Sequence, residues 1–291
     1  MWVKQRISAF DVILAAFFAF ASMAFVYPIV MTIALSISDP LKLGFRSVSV
    51  WPVGFTLDSY KMLLADGRIM RYYLNTILYA VSGTFIMLSS TSLMAYPLTF
   101  RGFRGRTLIT ILLTITMFFG GGLIPFYLVV LRLGLMDTMW ALVLPGAIAA
   151  WNVFIFRTFF STIPDSLRES AHMDGAGHFT VLFRIILPLS KPLLATFTLF
   201  SVVGFWNDFF NAMIFLRTQA KQPVQLFLRR ILILMAFREF DNTAAIEMFQ
   251  NISSRTVKSA AVMITITPIL CVYPFLQKYF TKGILVGAIK A

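Results

Sequence analysis

Five long stretches of the chain contain no charged residue, and a sixth contains only one. A helix rises about 1.5 Å per residue, so roughly 20 apolar residues cross the hydrocarbon core of a bilayer. Each stretch reaches about that length, and we predict an all-α membrane protein with six transmembrane helices. The stretches cover residues 12–38, 72–100, 107–131, 138–156, 192–216 (which includes Asp208) and 259–277.

The composition indicates the same class of protein. Hydrophobic residues make up 59% of the 291 residues and charged residues 13%, against roughly 45–50% and about 25% in soluble domains. The net charge of +13 then suggests the lipid bilayer or an acidic partner, and no nucleic acid. One cysteine, Cys271, and two histidines exclude a disulfide framework and a Cys-cluster or His-rich metal site.

A seventh apolar segment, residues 224–237, is short and carries Arg229 and Arg230 side by side. Two adjacent arginines in hydrocarbon cost about 2.5–3.5 kcal/mol each. We therefore predict an interfacial or protein-packed helix there, and a re-entrant helix remains the alternative.

The basic residues indicate the orientation of the helices only weakly. With the N-terminus inside, 12 Lys and Arg lie on the inner side and 13 on the outer side. In the short loops, where the positive-inside rule is most reliable, residues 101–106 carry three basic residues and residues 132–137 carry one. We expect a multi-pass protein with both termini in the cytoplasm.

Three consecutive glycines, Gly120, Gly121 and Gly122, followed by Pro125, interrupt the third stretch. Glycine does not hold helical geometry and proline removes a backbone donor, so we predict a kink or an unwound turn. Two interpretations stay open. The glycines allow close helix packing, or they form a hinge that lines a translocation path.

The loop at residues 157–191 is predicted to form a cytoplasmic helix-turn-helix. Ser166 and Glu169 have the spacing of a capping box, which favours a helix that ends near Met173. Two glycines within residues 174–177 can take positive φ and turn the chain. A second helix then runs from Phe179 to about Pro188.

At this loop the chain resembles the permease subunits of bacterial ATP-binding-cassette importers, whose signature is E-A-A-x3-G-x9-I-x-L-P. Every spacing is kept, and only Ser170 differs, standing where the family has its first Ala. The matching residues are Glu169, Ser170, Ala171, Gly175, Ile185, Leu187 and Pro188. Residues 206–209 and 283–290 also look like the carbohydrate branch, the maltose-type permeases, so the resemblance covers most of residues 70–291.

The resemblance implies a type I importer permease architecture, with a core at residues 72–291 after an N-terminal helix and outer segment at residues 1–71. The coupling loop would enter a cleft of an ATPase dimer, with Glu169 as its charged contact, Asp174 in the turn, and Ala171 and Gly175 kept small for close approach. The tail at residues 282–291, with Gly287 and Lys290, would reach between the ATPase subunits.

The resemblance also implies partners. ATP and Mg would bind the partner ATPase, and we expect no cofactor on this chain. A second homologous permease, an extracytoplasmic solute-binding protein and a sugar or oligosaccharide substrate complete the expected assembly, in a bacterial cytoplasmic (inner) membrane.

Polar residues inside the apolar stretches predict a substrate path. Asn207, Asp208 and Asn211 follow Trp206 in the fifth stretch, and intramembrane polar groups usually face a cavity. Aromatic rings beside amide and carboxylate groups suit a sugar. Trp151 and Asn152 repeat the pair in the fourth stretch. The alternative is that these tryptophans anchor the helices at the membrane interface.

The outer segment at residues 217–258 carries seven Lys or Arg against three acids. This surface could receive an acidic binding protein or attract an anionic, alginate-like oligosaccharide. The alternative is an edge that faces solvent or lipid headgroups.

Two other classes of protein compete with this interpretation. A secondary transporter or channel subunit would need ion-coupling acids in several spans or an internal repeat, and neither is visible. An enzyme would need a catalytic constellation, and we identify no catalytic residue and no phosphate-binding G-x-x-x-x-G-K-[ST] motif.

Overall fold

The computed structural model describes residues 8–43, 50–65, 67–240 and 254–271, without the side chains of residues 235–240. Within these ranges the chain is mainly α-helical, and its extended structure is limited to one isolated bridge between Ser38 and Phe55. The chain forms two compact units. The first combines Met1–Gly67 with Leu228–Thr267, and the second combines Arg68–Phe227 with Pro268–Ala291.

The first unit begins with a long apolar helix, α1 (Ala9–Ser36). A capping box starts it, in which Ser8 Oγ accepts the N–H of Phe10 and Asp11 accepts the N–H of Ser8. Its most apolar 18-residue window is 0% buried within the chain. A helix that is apolar all round requires lipid or another protein surface to cover it.

Short helices and a loop follow α1 and are joined by hydrogen bonds. Tyr60 Oη donates to Ser36 Oγ at 2.8 Å, and Ser59 Oγ donates to Thr256 Oγ1 at 3.1 Å. The remaining helices of this unit are α2 (Pro40–Leu43), α3 (Asp58–Leu64), most of α13 (Val224–Phe240) and most of α14 (residues 254–271).

The second unit contains the helices from which the candidate sites are built. In chain order they are α4 (Arg68–Ala95), α5 (Arg106–Phe118), α6 (Leu123–Arg132), α7 (Trp140–Val143), α8 (Ala150–Ser161), α9 (Asp165–Met173), α10 (His178–Leu189), α11 (Lys191–Asn207), α12 (Phe210–Phe215) and the start of α13.

Three predicted spans are each divided into two helices. Residues 107–131 break at the three glycines, residues 138–156 break around Pro145 and Gly146, and residues 192–216 break at Asp208. Proline lacks a backbone donor and glycine lacks a side chain to hold helical geometry, which accounts for the first two breaks.

By length and composition, two helices of the described ranges can cross a membrane, Ala9–Ser36 and Arg68–Thr99. A third is added if the bent pair α10 and α11 counts as one span; its two parts meet at 81°. The breaks in residues 138–156 and 192–216 were not predicted, and the expectation of six transmembrane helices stays a prediction. The segment at residues 224–237 forms part of α13, and its position relative to the membrane stays a prediction.

The second unit is held together where α4 crosses α11. A methyl group placed on Gly83 would lie 2.3 Å from Cζ of Phe205, so the glycine allows the two helices to approach closely. Thr84 follows Gly83 on α4, and its Oγ1 donates at 2.9 Å to Oγ of Ser201, which lies one turn before Phe205 on α11. Beside this crossing, an apolar core that includes Phe156, Phe160 and Ile186 joins α4, α8, α10 and α11.

Candidate functional site

A cavity of about 980 Å³ lies within the second unit, beside α11. We call it the central cavity. Its apolar wall includes the rings of Trp151, Phe200 and Phe205. The polar side chains on its wall are Asn152, Thr196, Ser201, Asn207, Asp208 and Asn211. A mainly apolar concave site with a few convergent polar groups is typical of small-molecule binding.

Five of the six residues predicted for a substrate path line this cavity: Trp151, Asn152, Asn207, Asp208 and Asn211. The structure thus brings together residues from α8, α11 and the α11–α12 junction that are about 55 positions apart in sequence.

Trp206, the sixth predicted residue, does not line the central cavity. Its side chain is 6% exposed, and its ring lies 6.2 Å from that of Tyr73 between ring centroids. Successive residues of a helix point about 100° apart, which turns Trp206 away from the face that carries Asn207. Of the two predicted tryptophans, Trp151 has the exposed side chain, at 63%.

The carboxylate of Asp208 stabilises the break between α11 and α12. Its Oδ1 accepts the backbone N–H of Asn211 at 3.0 Å, and its Oδ2 accepts the side-chain amide of Asn211 at 3.0 Å. Asn207 Oδ1 accepts from Gln225 Nε2 at 3.1 Å. These polar groups therefore hold the local backbone and also face the cavity.

Among the residues that the structure describes, the wall of the central cavity has one ionisable side chain, the carboxylate of Asp208, and no Lys, Arg or His. The described basic residues of the segment at residues 217–258 do not line this cavity. Lys221 Nζ pairs with Asp137 Oδ2 at 2.9 Å. Residues 241–253 of this segment lie outside the described ranges.

The glycine break predicted as a hinge separates α5 from α6. Gly122 has φ +79° and precedes α6, and Pro125 lies in the first turn of α6, where a missing N–H breaks no helical bond. Methyl groups placed on Gly120 and Gly122 would meet no atom within 4 Å, and one on Gly121 only Pro125, at 3.9 Å. Within the described part of the chain, close packing therefore does not explain these glycines.

The residues that carry the importer signature lie on α9, α10 and the turn between them, which we call the docking segment (residues 165–189). Four of them are exposed on α9 and its turn: Glu169, Ser170, Asp174 and Gly175. Pro188 is also exposed, whereas Ala171, Ile185 and Leu187 pack partly against the apolar core.

The predicted capping box does not form. Helix α9 begins two residues earlier than expected, with Pro164 at its N-cap position and no side-chain cap bond. Ser166 is therefore inside the first turn, where its hydroxyl is not placed to cap the helix.

The end of α9 is a Schellman motif. Ala176 N–H donates to Ala171 O at 2.9 Å, and Gly175 N–H donates to His172 O at 3.0 Å. Gly175 has φ +80°, and a methyl group placed on it would meet no atom of the chain within 4 Å. The left-handed conformation favours glycine here, and the space around it is open to a partner.

Arg168, which the sequence analysis missed, attaches the docking segment to the core. It is 5% exposed, and its guanidinium donates to Phe160 O at 2.7 Å and to Thr99 Oγ1 at 3.2 Å. The same group lies 5.7 Å from the ring centroid of Phe100 and 3.5 Å from Asp165 Oδ1. No periodic pattern in the sequence distinguishes this arginine from the exposed ones.

Asp137 is the second residue that the sequence analysis missed. Its Oδ1 accepts the backbone N–H groups of Arg217 and Thr218, and its Oδ2 accepts from Thr218 Oγ1 at 2.6 Å and from Lys221 Nζ. These bonds, those from Thr218 foremost, hold the pKa of the carboxyl well below its ordinary value of 3.8. Its one sequence signal is that no other acid lies between residues 67 and 164.

A mainly apolar cavity with a few polar groups among broken apolar helices, and an exposed segment beside it, are typical of a membrane transport subunit. The chain belongs to the family described as binding-protein-dependent transport system inner membrane component, whose model matches residues 62–286. It is therefore an inner-membrane permease of the ATP-binding-cassette importer class.

Relatives from Bacillus subtilis (strain 168) agree with this family. Protein LplC is 43% identical, covering 97% of this chain and 95% of its own. The polygalacturonan/rhamnogalacturonan transport system permease protein YtcP is 38% identical, covering 99% and 100%. A crystal structure of a bacterial ABC transporter involved in the import of the acidic polysaccharide alginate contains a chain that matches with TM-score 0.84 and 31% identity, covering 96% of this chain and 99% of that one.

Proposed function

We propose that this chain forms half of the translocation pathway for a sugar or oligosaccharide and couples it to a separate ATPase through the docking segment. The observation that carries this proposal is one helix pair. Helix α10 ends the docking segment, α11 lines the central cavity, and the two meet at a bend of 81°. A displacement of the docking segment is thereby passed to the cavity wall through a covalent connection.

The exposed face of the docking segment fits a protein partner. Glu169 and Asp174 offer negative charge, and the open space at Gly175 allows a second surface to approach the backbone. Ala171 and Ile185 fix this face by packing onto the core. ATP and Mg would bind the ATPase partner, and this chain would supply only the contact.

In this proposal the chain crosses the bilayer six times, and the two helices on either side of each break cross it together. Backbone groups freed at such breaks are tolerated where they face protein or a cavity. The N- and C-termini would then lie in the cytoplasm with the docking segment. The predicted role of residues 282–291 falls outside the described ranges and stays a prediction.

The chemistry of the central cavity supports a saccharide. Aromatic rings such as that of Trp151 can stack on the apolar face of a sugar, and amides such as Asn152 can bond its hydroxyls. Relatives that are permease proteins of polygalacturonan/rhamnogalacturonan and arabinooligosaccharide transport systems support the same substrate class. A second permease would complete the pathway, and an extracytoplasmic binding protein would deliver the substrate.

The test is Gly175→Leu, measured by solute uptake and by co-purification of the ATPase. We expect both to be lost while membrane insertion is normal, because the side chain fills the space that a partner would occupy. Gly134→Leu is the matched control: Gly134 also has positive φ, at +69°, and an open environment, but it lies in the loop after α6. If Gly175→Leu leaves uptake and association intact, the docking role is wrong.

A further inference from the structure

A second cavity, of about 720 Å³, lies between the end of α4 and the beginning of α10. We call it the loop cavity. Its lining includes Leu93, Tyr96, Phe100, Arg101, His178 and Leu182, and most of its surface is apolar. No residue of the central cavity belongs to it, and the importer signature does not include the residues on its α4 side.

From Leu93 to Arg101, the residues that line the loop cavity change from apolar through aromatic to basic. Leu93 lies inside α4, Tyr96 follows the last residue of that helix, and Arg101 lies in the turn beyond. In the orientation of the proposed function, α4 runs toward the cytoplasm. This order therefore runs from the hydrocarbon through the interface to the membrane surface, as the acyl chain, ester groups and phosphate of a phospholipid do.

Tyr96 supplies a polar group that lacks a partner. Its side chain is 4% exposed, and its hydroxyl has no hydrogen-bond partner among the described residues. Buried hydroxyl groups are normally bonded, but this hydroxyl lies beneath the wall of the loop cavity and not on its accessible surface. Tyr96 therefore contributes its aromatic ring to the lining.

The charge at the mouth of the loop cavity favours an anion. The Arg101 side chain is exposed and forms no ion pair or hydrogen bond with the residues that the structure describes. The sequence contains no Asp or Glu from residue 67 to residue 136, so no acid of its own loop pairs with Arg101. Unpaired arginines on the cytoplasmic side of a membrane attract anionic headgroups.

We propose that the loop cavity binds an anionic phospholipid of the inner leaflet, with its acyl chain against Leu93 and Leu182 and its phosphate at Arg101. The side of the membrane rests on the proposed function. Because His178 and Leu182 belong to the docking segment, the bound lipid joins the end of a membrane helix to the segment that contacts the ATPase.

The test measures the phospholipid that the purified complete transporter retains. The complex is reconstituted in phosphatidylcholine with a titrated fraction of phosphatidylglycerol, and the bound lipid is quantified by mass spectrometry. We expect the wild type to retain phosphatidylglycerol in preference to phosphatidylcholine. Arg101→Gln should weaken this retention at least about fivefold, and Leu93→Trp, which fills the cavity, should abolish it.

Arg104→Gln is the matched control, because Arg104 is an exposed arginine of the same loop but does not line the cavity. Equal losses in Arg101→Gln and Arg104→Gln would indicate general surface attraction and overturn the proposal. Equal retention of both lipids, or no retained lipid because another subunit fills the cavity, would also overturn it. Association with the ATPase is measured on the same samples, so failure of the lipid site with association intact leaves the proposed function standing.

Discussion

At the scale of single residues, Asp137 shows how one carboxylate organises a long connection. It has φ +57°, and its side chain and backbone bind residues of the segment between α12 and α13, which is about 80 positions later in the sequence. Tyr79 Oη and Asn75 Nδ2 donate to carbonyls of the same segment. The connection is thus fixed from two sides, by Asp137 and by α4.

We expect Asp137→Asn to lower the free energy of unfolding by about 1–3 kcal/mol, because hydrogen bonds to a charged group are lost. Asparagine tolerates positive φ, so the backbone conformation is kept. Thermal unfolding of the purified complex measures the change. Asp58→Asn is the control, since that exposed carboxylate bonds only neighbouring residues.

The pH dependence of stability should also change. The folded state holds the pKa of Asp137 below 3.8, so on acidification the unfolded state takes up the proton first. The stabilisation is complete above about pH 5 and is lost as the pH falls through the folded-state pKa. If the wild type and Asp137→Asn lose stability in parallel on acidification, Asp137 is not the cause.

A separate prediction concerns the local stability of α9, because hydrogen bonds from Arg168 connect this helix to backbone carbonyls of the core. Arg168→Met keeps the length of the side chain but removes the guanidinium that donates to Phe160 O at 2.7 Å. We expect hydrogen exchange of the α9 amides to accelerate by roughly tenfold or more, which corresponds to about 1.4 kcal/mol or more of local stability. Arg184→Met, an exposed arginine of α10, should leave the exchange unchanged. Equal acceleration in both variants would show that Arg168 has no special anchoring role.

At the scale of helices, the crossing of α4 and α11 depends on the absence of a side chain at Gly83. Gly83→Ala would place a methyl group in the ring of Phe205, and we expect a loss of about 1–3 kcal/mol in unfolding experiments. Gly204→Ala is the matched control: Gly204 is also helical, next to Phe205, but has no atom within 4 Å of an added methyl group. There we expect an increase of about 0.5–1 kcal/mol, because alanine favours the helix.

The double variant Gly83→Ala, Phe205→Leu checks the mechanism. A smaller side chain at position 205 should recover part of the stability that Gly83→Ala loses, since the two residues are in contact. Additive losses in the double variant would show that steric contact with Phe205 is not the reason.

Helix breaks are where the sequence analysis was least complete at this scale. The glycines at 120–122 correctly predicted a break in the helix. The break at Asp208 was not predicted, although a carboxylate in an apolar stretch was visible. A run without charge indicates burial in apolar surroundings. It does not report whether one helix or two shorter ones fill that length, because local capping bonds such as Asp208 to Asn211 decide that.

At the scale of the whole molecule, the net charge of +13 does not extend to the central cavity. In the described parts of the chain, the wall of this cavity has one carboxylate and no cation. An anionic sugar such as a uronic-acid oligosaccharide would therefore take its cationic contacts from the second permease or the binding protein.

We expect the uptake rate to change less than about twofold between about 50 and 300 mM salt, because the described residues place no cation on the wall of the central cavity for salt to screen. Uptake in whole cells or proteoliposomes with neutral and acidic oligosaccharides measures this. Asp208→Asn keeps an acceptor for the α12 backbone and removes the one charge, so any residual salt effect from this chain should disappear. A steep loss with rising salt would show that cations elsewhere in the assembly steer an acidic substrate.

The sequence by itself determined the class of protein and the position of the residues that carry the importer signature. Stretches without charge indicate that these segments are surrounded by lipid or by apolar protein. The fixed spacing from Glu169 to Pro188 indicates a local structure whose residues are close in the chain. Only the tertiary structure decided that Trp206 faces α4, that Trp151 and Asn207 share one cavity, and that Arg168 and Asp137 are anchors. These facts depend on contacts between residues that are distant in sequence and on the rotation of each helix, and no local pattern encodes either of them.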